Sequence, residues 1–229
     1  MTQRRARLHV EGKDDLFAIV NLLERHAIDC SERSRTFDIK KSADGAPAGT
    51  ESVEALLNGM DLAIRQSRGA PVGFVIDADW EGVSGGLKSR WQAVCDRLRA
   101  AGAPKDAIPS SPPSDGLILD IPRWRARAGV WLMPDNQRDG TLEDFLQELI
   151  AEGDVLIEHA TEATAEATTL GAGFPEVHRT KAQLHTWLAW QEKPGQPYGI
   201  AIKARYFGHD SPAAIAFVDW IRRLFDIPE

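Results

Sequence analysis

The sequence predicts an α/β protein: a central, mainly parallel sheet flanked by helices, followed by a C-terminal helical extension. Three observations predict it. Strand-like and helix-like patterns alternate through the first half of the chain, the order that builds a parallel sheet with right-handed crossovers. The run Pro71 to Ile76 (PVGFVI) is short, β-rich and nearly all apolar, as suits an interior strand covered on both faces. Beyond Ala151 clear strands stop and helical patterns follow one another.

Taken in order, Arg7 to Val10 reads as the first strand and ends at Glu11-Gly12. Asp14 to His26 reads as a helix, because Leu16, Phe17, Ile19, Val20, Leu22 and Leu23 gather mostly on one side. A carboxylate from Asp14 or Asp15 suits the positive end of its dipole. Arg35 to Lys40 (RTFDIK) is a candidate second strand, and Ser52 to Arg68 carries Val53, Leu56, Leu57, Met60 and Ile64 at helical spacing. The apolar strand stops at Asp77. Lys88 to Ala101 follows as a helix closed by Gly102 and Pro104. The Pro/Ser-rich stretch 103–114 is a loop. Gly116 to Ile121 and Ala128 to Met133 are two further strands joined by Pro122 to Arg127. Thr141 to Ile150 reads as a helix with Thr141 as N-cap and Asp144 at the third helical position. Asp154 to Leu170, Arg179 to Trp190 and Ala213 to Phe225 complete the extension. The expected division is an α/β core over 1–150 and a helical extension over 151–229 packed on it.

The chain has 229 residues, enough for one large domain or two small ones, and needs no disulfide or structural metal to fold. Its two cysteines, Cys30 and Cys95, form no CxxC pair and read as buried free thiols in helix-like stretches. Thirty-four acidic against 27 basic residues give a net charge of -7, which argues against a protein that coats nucleic acid by bulk charge. The charged start MTQRRARLHVEG lacks a signal-peptide core, and no apolar run is long enough to span a bilayer. The expected compartment is therefore the cytoplasm, with no membrane partner.

Candidate chemistry follows from position. Glu11-Gly12 closes the first strand, and Asp77-Ala78-Asp79-Trp80-Glu81-Gly82 closes the apolar strand. Ligands of open α/β sheets bind beyond the carboxyl ends of strands, so both acidic sets lie where a site belongs. Asp77 and Asp79 straddle a strand-to-loop turn and can reach one cation. Carboxylates this close call for a counter-charge, and Mg²⁺ is a hard, oxygen-seeking candidate. Glu143 and Asp144 open a later helix at the same edge. Glu143 is the preferred ligand for a second ion, and Asp135 is the weaker candidate as a turn residue. Lys13 lies beside the acidic loop. Arg123-Trp124-Arg125-Ala126-Arg127 is a basic and aromatic strip, able either to grip a nucleic-acid backbone or to serve as a hairpin connection with Trp124 packed inward. No complete P-loop, nucleophile elbow or H-x-x-x-H pair is present; His178 and His185 read as flanking a buried face.

The pairing of Glu11-Gly12 with Asp77, Asp79 and Gly82 resembles the TOPRIM domain of topoisomerases, bacterial primases and several nucleases. VEGKDD at Val10 to Asp15 is similar to the opening of nucleases of the overcoming-lysogenization-defect family. Gly129 to Asn136, Gly140 to Phe145, Thr186 to Gln191 and Phe217 to Trp220 resemble a bacterial family of small TOPRIM-related proteins of unassigned function. The resemblance implies a Rossmann-like TOPRIM fold and a Mg²⁺-dependent (or Mn²⁺-dependent) phosphoryl-transfer protein acting on DNA or RNA, first of all a nuclease. It implies Glu11, Asp15, Asp77, Asp79 and Glu143 as metal-site residues, with Glu11, Asp77, Asp79 and Lys181 carrying catalysis. Lys13, Arg123, Trp124, Arg125 and Arg127 are the expected nucleic-acid contacts. The alternative it leaves is a non-catalytic TOPRIM-like subunit working with a separate ATPase, in phage defence. A second copy of the chain is a further candidate partner.

Overall fold

The computed structural model describes residues 6–30, 36–42 and 52–228. Among these, five strands form one sheet: β1 (Ala6–Val10), β2 (Phe37–Lys41), β3 (Val72–Asp77), β4 (Leu117–Ile121) and β5 (Ala126–Met133). Their order across the sheet is β2-β1-β3-β5-β4. Every neighbouring pair is parallel except β4 and β5, which form an antiparallel hairpin. The helices are α1 (Lys13–Arg25), α2 (Val53–Ser67), α3 (Leu87–Ala100), α4 (Leu142–Gln147), α5 (Val155–Thr169), α6 (Arg179–Ala189), α7 (Tyr198–Lys203) and α8 (Pro212–Phe225). The result is an α/β, Rossmann-like layering, a mostly parallel sheet with helices on both faces. No helix of the described residues is long and apolar enough to cross a membrane.

The two faces follow from the period-two alternation of strand side chains. Val72, Phe74 and Ile76 of β3 join Ala128, Val130 and Leu132 of β5 beneath α2 and α3. Leu8, Val10, Val75, Trp131 and Met133 point the other way, into a larger cluster with α1, α4, α6, α7 and α8. Ser52 starts α2 by accepting the Ala55 N–H at 3.1 Å, so that helix begins where a serine cap precedes an apolar stripe.

On the second face, α8 approaches the sheet closely. Gly73 and Gly129 stand opposite each other across β3 and β5. A Cβ at either position would fall 2.7 Å or 2.6 Å from Leu224 Cδ2. A side chain at either position would force Leu224 to shift, so the two glycines let the helix seat this closely. Phe225 then stacks on Phe37 with ring centroids 4.0 Å apart, and the Trp220 indole N–H donates to the Leu117 carbonyl at 3.1 Å. Helices from the end of the chain and strands from its beginning thus share one apolar cluster.

Some boundaries differ from expectation. Arg35, expected to open the second strand, lies outside the described residues. α4 ends at Gln147, because the N–H groups of Glu148, Leu149 and Ile150 turn back to carbonyls three residues earlier. Cys30 lies beyond α1 rather than in a helix, and is half-buried, while Cys95 is buried in α3; both thiols are free. Burial pushes the Cys30 thiol up to about 12. The short helix α7 adds to the three helices expected after 151.

Candidate functional site

The chain leaves β1 toward β2 on one side and later returns to place β3 on the other. The gap between the carboxyl ends of β1 and β3 is therefore a topological switch point, the crevice where open α/β sheets take ligands. Glu11 follows β1 directly and Asp77 is the last residue of β3. The first turn of α1 adds Asp15, the first turn of α4 adds Glu143, and the loop after β3 adds Asp79.

Asp77 sits innermost. Its Oδ1 accepts the Leu142 N–H at 3.0 Å, which ties the N-terminus of α4 to the end of β3. Burial pushes its carboxyl well above the usual range, and Asp15, Glu11, Glu143 and Asp79 push it the same way. Glu11 is raised to about 7 by burial first, then by Asp15 and Asp79, with Arg90 opposing. Its Oε2 is buried and has no hydrogen-bond partner. Asp15 Oδ2 accepts the Gly12 N–H at 3.1 Å and so closes the first turn of α1. Burial nonetheless raises Asp15 to about 6.

Asp79 is held by its backbone and by an arginine. It adopts a left-handed φ of 61° and exchanges backbone hydrogen bonds with Gly140 at 2.9 and 3.0 Å. Its Oδ2 meets Arg90 Nη2 at 2.5 Å, and Arg90, itself buried, also donates to the Ser84 carbonyl at 3.1 Å. Burial raises the Asp79 carboxyl, although Arg90 pulls against it. Asp139 fixes the same loop from outside, accepting the N–H groups of Glu81 at 2.8 Å and Leu87 at 2.7 Å.

Glu143 heads a second polar cluster. Its Oε1 lies 3.0 Å from Lys181 Nζ, and its Oε2 accepts the Thr141 hydroxyl at 2.9 Å. Tyr198, from the start of α7, points its hydroxyl at Glu143 Oε1 from 3.5 Å and at His185 Nε2 from 3.4 Å. The Tyr198 and His185 rings stack, and the histidine is exposed. Burial works against the Lys181 ammonium, yet Glu143, Asp14 and Asp15 hold its pKa above the usual lysine value. Asp144 is the helix cap instead: it accepts the Thr141 N–H at 2.8 Å and the Thr180 hydroxyl at 2.9 Å.

The five carboxylates and Lys181 are therefore brought to one edge from four elements, α1, β3, α4 and α6, and the two loops after β1 and β3. Lys13 opens α1 at the same edge, exposed, with its ammonium 5.9 Å from the Phe17 ring centroid. The basic and aromatic strip is not brought to them. It joins β4 to the amino end of β5, on the opposite edge of the sheet. Trp124 packs against the apolar cluster with its indole N–H on the Ala101 carbonyl at 2.7 Å and Arg123 over its ring at 5.0 Å. Arg125 takes a left-handed φ of 52°, and Arg127 is held by Asp226 and the Arg223 carbonyl, both at 2.7 Å. Asp135 serves a turn and pairs with Arg138 at 3.0 Å. His185, expected to flank a buried face, is exposed next to the buried Leu184 of α6 and stacks on the buried Tyr198. Arg90, Tyr198, His185 and Thr141 are the members of the site that sequence reasoning did not place there.

The donor set is all oxygen, which suits Mg²⁺ or Mn²⁺. The partnerless buried Oε2 of Glu11 is an acceptor in want of a cation or a donor. Among the described residues, no three His, Cys, Asp or Glu side chains stand arranged to hold an ion. Mg²⁺ asks less than that, since it commonly takes one or two protein carboxylates and fills its shell with water and substrate phosphate. The residues present fit such an ion at the level of donor chemistry.

Fold and site together define a Rossmann-like α/β protein with an acidic switch-point edge. Residues 5–226 match the sequence model of the family described as Protein of unknown function (DUF3226), and the chain belongs to that family. No curated protein and no solved structure matches it.

Proposed function

We propose that this chain is a divalent-cation-dependent phosphoryl-transfer protein acting on nucleic acid, a TOPRIM-type nuclease. One observation carries the reading: Glu11, Asp15, Asp77, Asp79 and Glu143 converge on the switch point as mutually repelling, largely enclosed carboxylates, with Arg90 and Lys181 as the protein cations set against them. A divalent ion would be held by Glu11 and Asp77, with water and substrate phosphate as its other ligands, and would supply charge neutralisation at a scissile phosphate. The chain's own residues do the rest. Asp77 fixes the α4 terminus, Arg90 orients Asp79, and Thr141 with Tyr198 orients Glu143. Lys181 and Lys13 bring positive charge toward a phosphate group, where charge develops during displacement.

The test is a panel of DNA and RNA substrates with Mg²⁺ or Mn²⁺, alongside calorimetric titration of the metal alone. Wild type is expected to bind metal and cleave. Glu11→Gln and Asp77→Asn are expected to lose metal binding and about 10²-fold or more of any cleavage. Metal binding without cleavage would sink the nuclease but keep the centre; neither would sink both.

A second reading has its own observation. Arg90 already occupies the Asp79 carboxylate and Lys181 the Glu143 carboxylate, as a centre closed by protein cations would have it. This reading makes the chain a binding subunit that acts beside a separate ATPase. It requires that wild type show no metal-dependent heat.

A further inference from the structure

The last turn of α1 and the end of α7 enclose a cavity of about 480 Å³ lined by Asn21, Glu24, Arg25, Lys203, Arg205 and His209. Every lining residue is polar or charged, with three permanent cations against one carboxylate. The rest of the chain does not lead one to expect this, since its net charge is -7. Arg25 is clamped in place: Nη1 donates to the Phe207 carbonyl and, at 3.4 Å, to the Ile202 carbonyl, while Nη2 lies 2.9 Å from His209 Nδ1. A guanidinium can only donate, so Nδ1 accepts and the His209 proton is on Nε2, a further donor. The His209 carbonyl meets His26 Nε2 at 2.6 Å, which anchors the same loop to the end of α1.

Lys203 and Arg205 are exposed, and neither they nor Arg25 forms an ion pair among the described residues. Arg25 is also held below the ordinary arginine value by burial and then by the charge of Arg205, with Asp210 opposing. Three cations thus border a polar space with one lining carboxylate, Glu24, and with no ion pair among the described residues.

We infer that this cavity is a binding site for a phosphate group, taken up by Arg25, Lys203, Arg205 and His209. A guanidinium fork matches the paired oxygens of a phosphate, and a phosphate anion offsets the positive surplus that Arg25, Lys203 and Arg205 keep over Glu24 and the nearby Asp210. No hydrophobic residue lines it, and polar atoms make up most of its surface, so the recognised feature is the anion itself. Along α1 the lining residues Asn21 to Arg25 stand about 9–15 Å beyond Asp15 of the carboxylate edge. The site does not depend on that edge being catalytic.

The test titrates inorganic phosphate into the full chain, with sodium chloride at matched ionic strength as the control. Phosphate is expected to raise Tm by about 3–6 °C at a tenfold excess over its Kd. Lys203→Gln/Arg205→Gln, at two exposed positions, is expected to keep its circular dichroism and its Tm in chloride, and to weaken phosphate binding about tenfold or more. The Asp77→Asn chain keeps the phosphate response, which separates this site from the carboxylate edge. Equal effects of phosphate and chloride, or unchanged phosphate binding by the double variant, would overturn the inference. Where phosphate binds, displacement by a single-stranded oligonucleotide but not a mononucleotide marks a nucleic-acid backbone as the source. The reverse marks a small phosphate ester, and both results keep the site.

Discussion

Asp77 shows how one side chain can be required by a site and still burden the fold. Its charged form is opposed by burial and by four neighbouring carboxylates. Asparagine at this position keeps an oxygen for the Leu142 N–H and removes the charge. Asp77→Asn is therefore expected to raise Tm in the presence of a chelator and to erase any Mg²⁺-dependent rise, the usual opposition between stability and function. A chelator Tm equal to or below that of wild type would show that the carboxylate is not strained. Glu11 and Asp77 were legible in the sequence because each ends a strand, and strand ends are where ligands sit. Arg90 and Tyr198 were not. Arg90 meets Asp79 only because a loop folds back on the start of α3, and Tyr198 reaches Glu143 from 55 residues away along the chain. Neither contact leaves a local pattern.

Among the elements, α8 and the two central strands depend on one another most closely. Gly129→Ala places a methyl group against Leu224 and is expected to cost about 1–3 kcal/mol, read as a lower denaturant midpoint at constant slope. Leu224→Ala opens a cavity at a fully buried position and is expected to cost about 2–5 kcal/mol. Together the two should cost clearly less than their sum, because the new methyl occupies part of the space the leucine vacates. Strict additivity would mean that the helix shifts away instead. Most elements were visible in advance, since apolar period and caps mark helices of three or four turns and short β-rich runs mark strands. The helix α7 was not, because six residues are under two turns and show no periodicity. The basic strip at Arg123 to Arg127 was visible, but its position was not. Which edge of a sheet a loop occupies depends on strand direction, and the hairpin between β4 and β5 turns it away from the carboxylates.

At the scale of the whole molecule, charge is sorted by location, with carboxylates gathered at one end of α1 and cations at the other. The acidic end should govern how stability varies with pH. Glu11 and Asp15 bind protons more tightly folded than unfolded, with values raised from 4.5 to about 7 and from 3.8 to about 6. Their contribution is complete below the unfolded values and is lost as pH rises through the folded ones. In a chelator, the free energy of unfolding is thus expected to fall between about pH 4 and pH 7, and Mg²⁺ should restore it at the upper end. A curve that rises across that interval would contradict the crowding. The glycine pair bears on how such an event spreads. At Gly73 and Gly129 the Leu224 side chain separates α8 from the backbones of β3 and β5. A displacement of α8 thus meets the strand that ends in Asp77 through that leucine side chain.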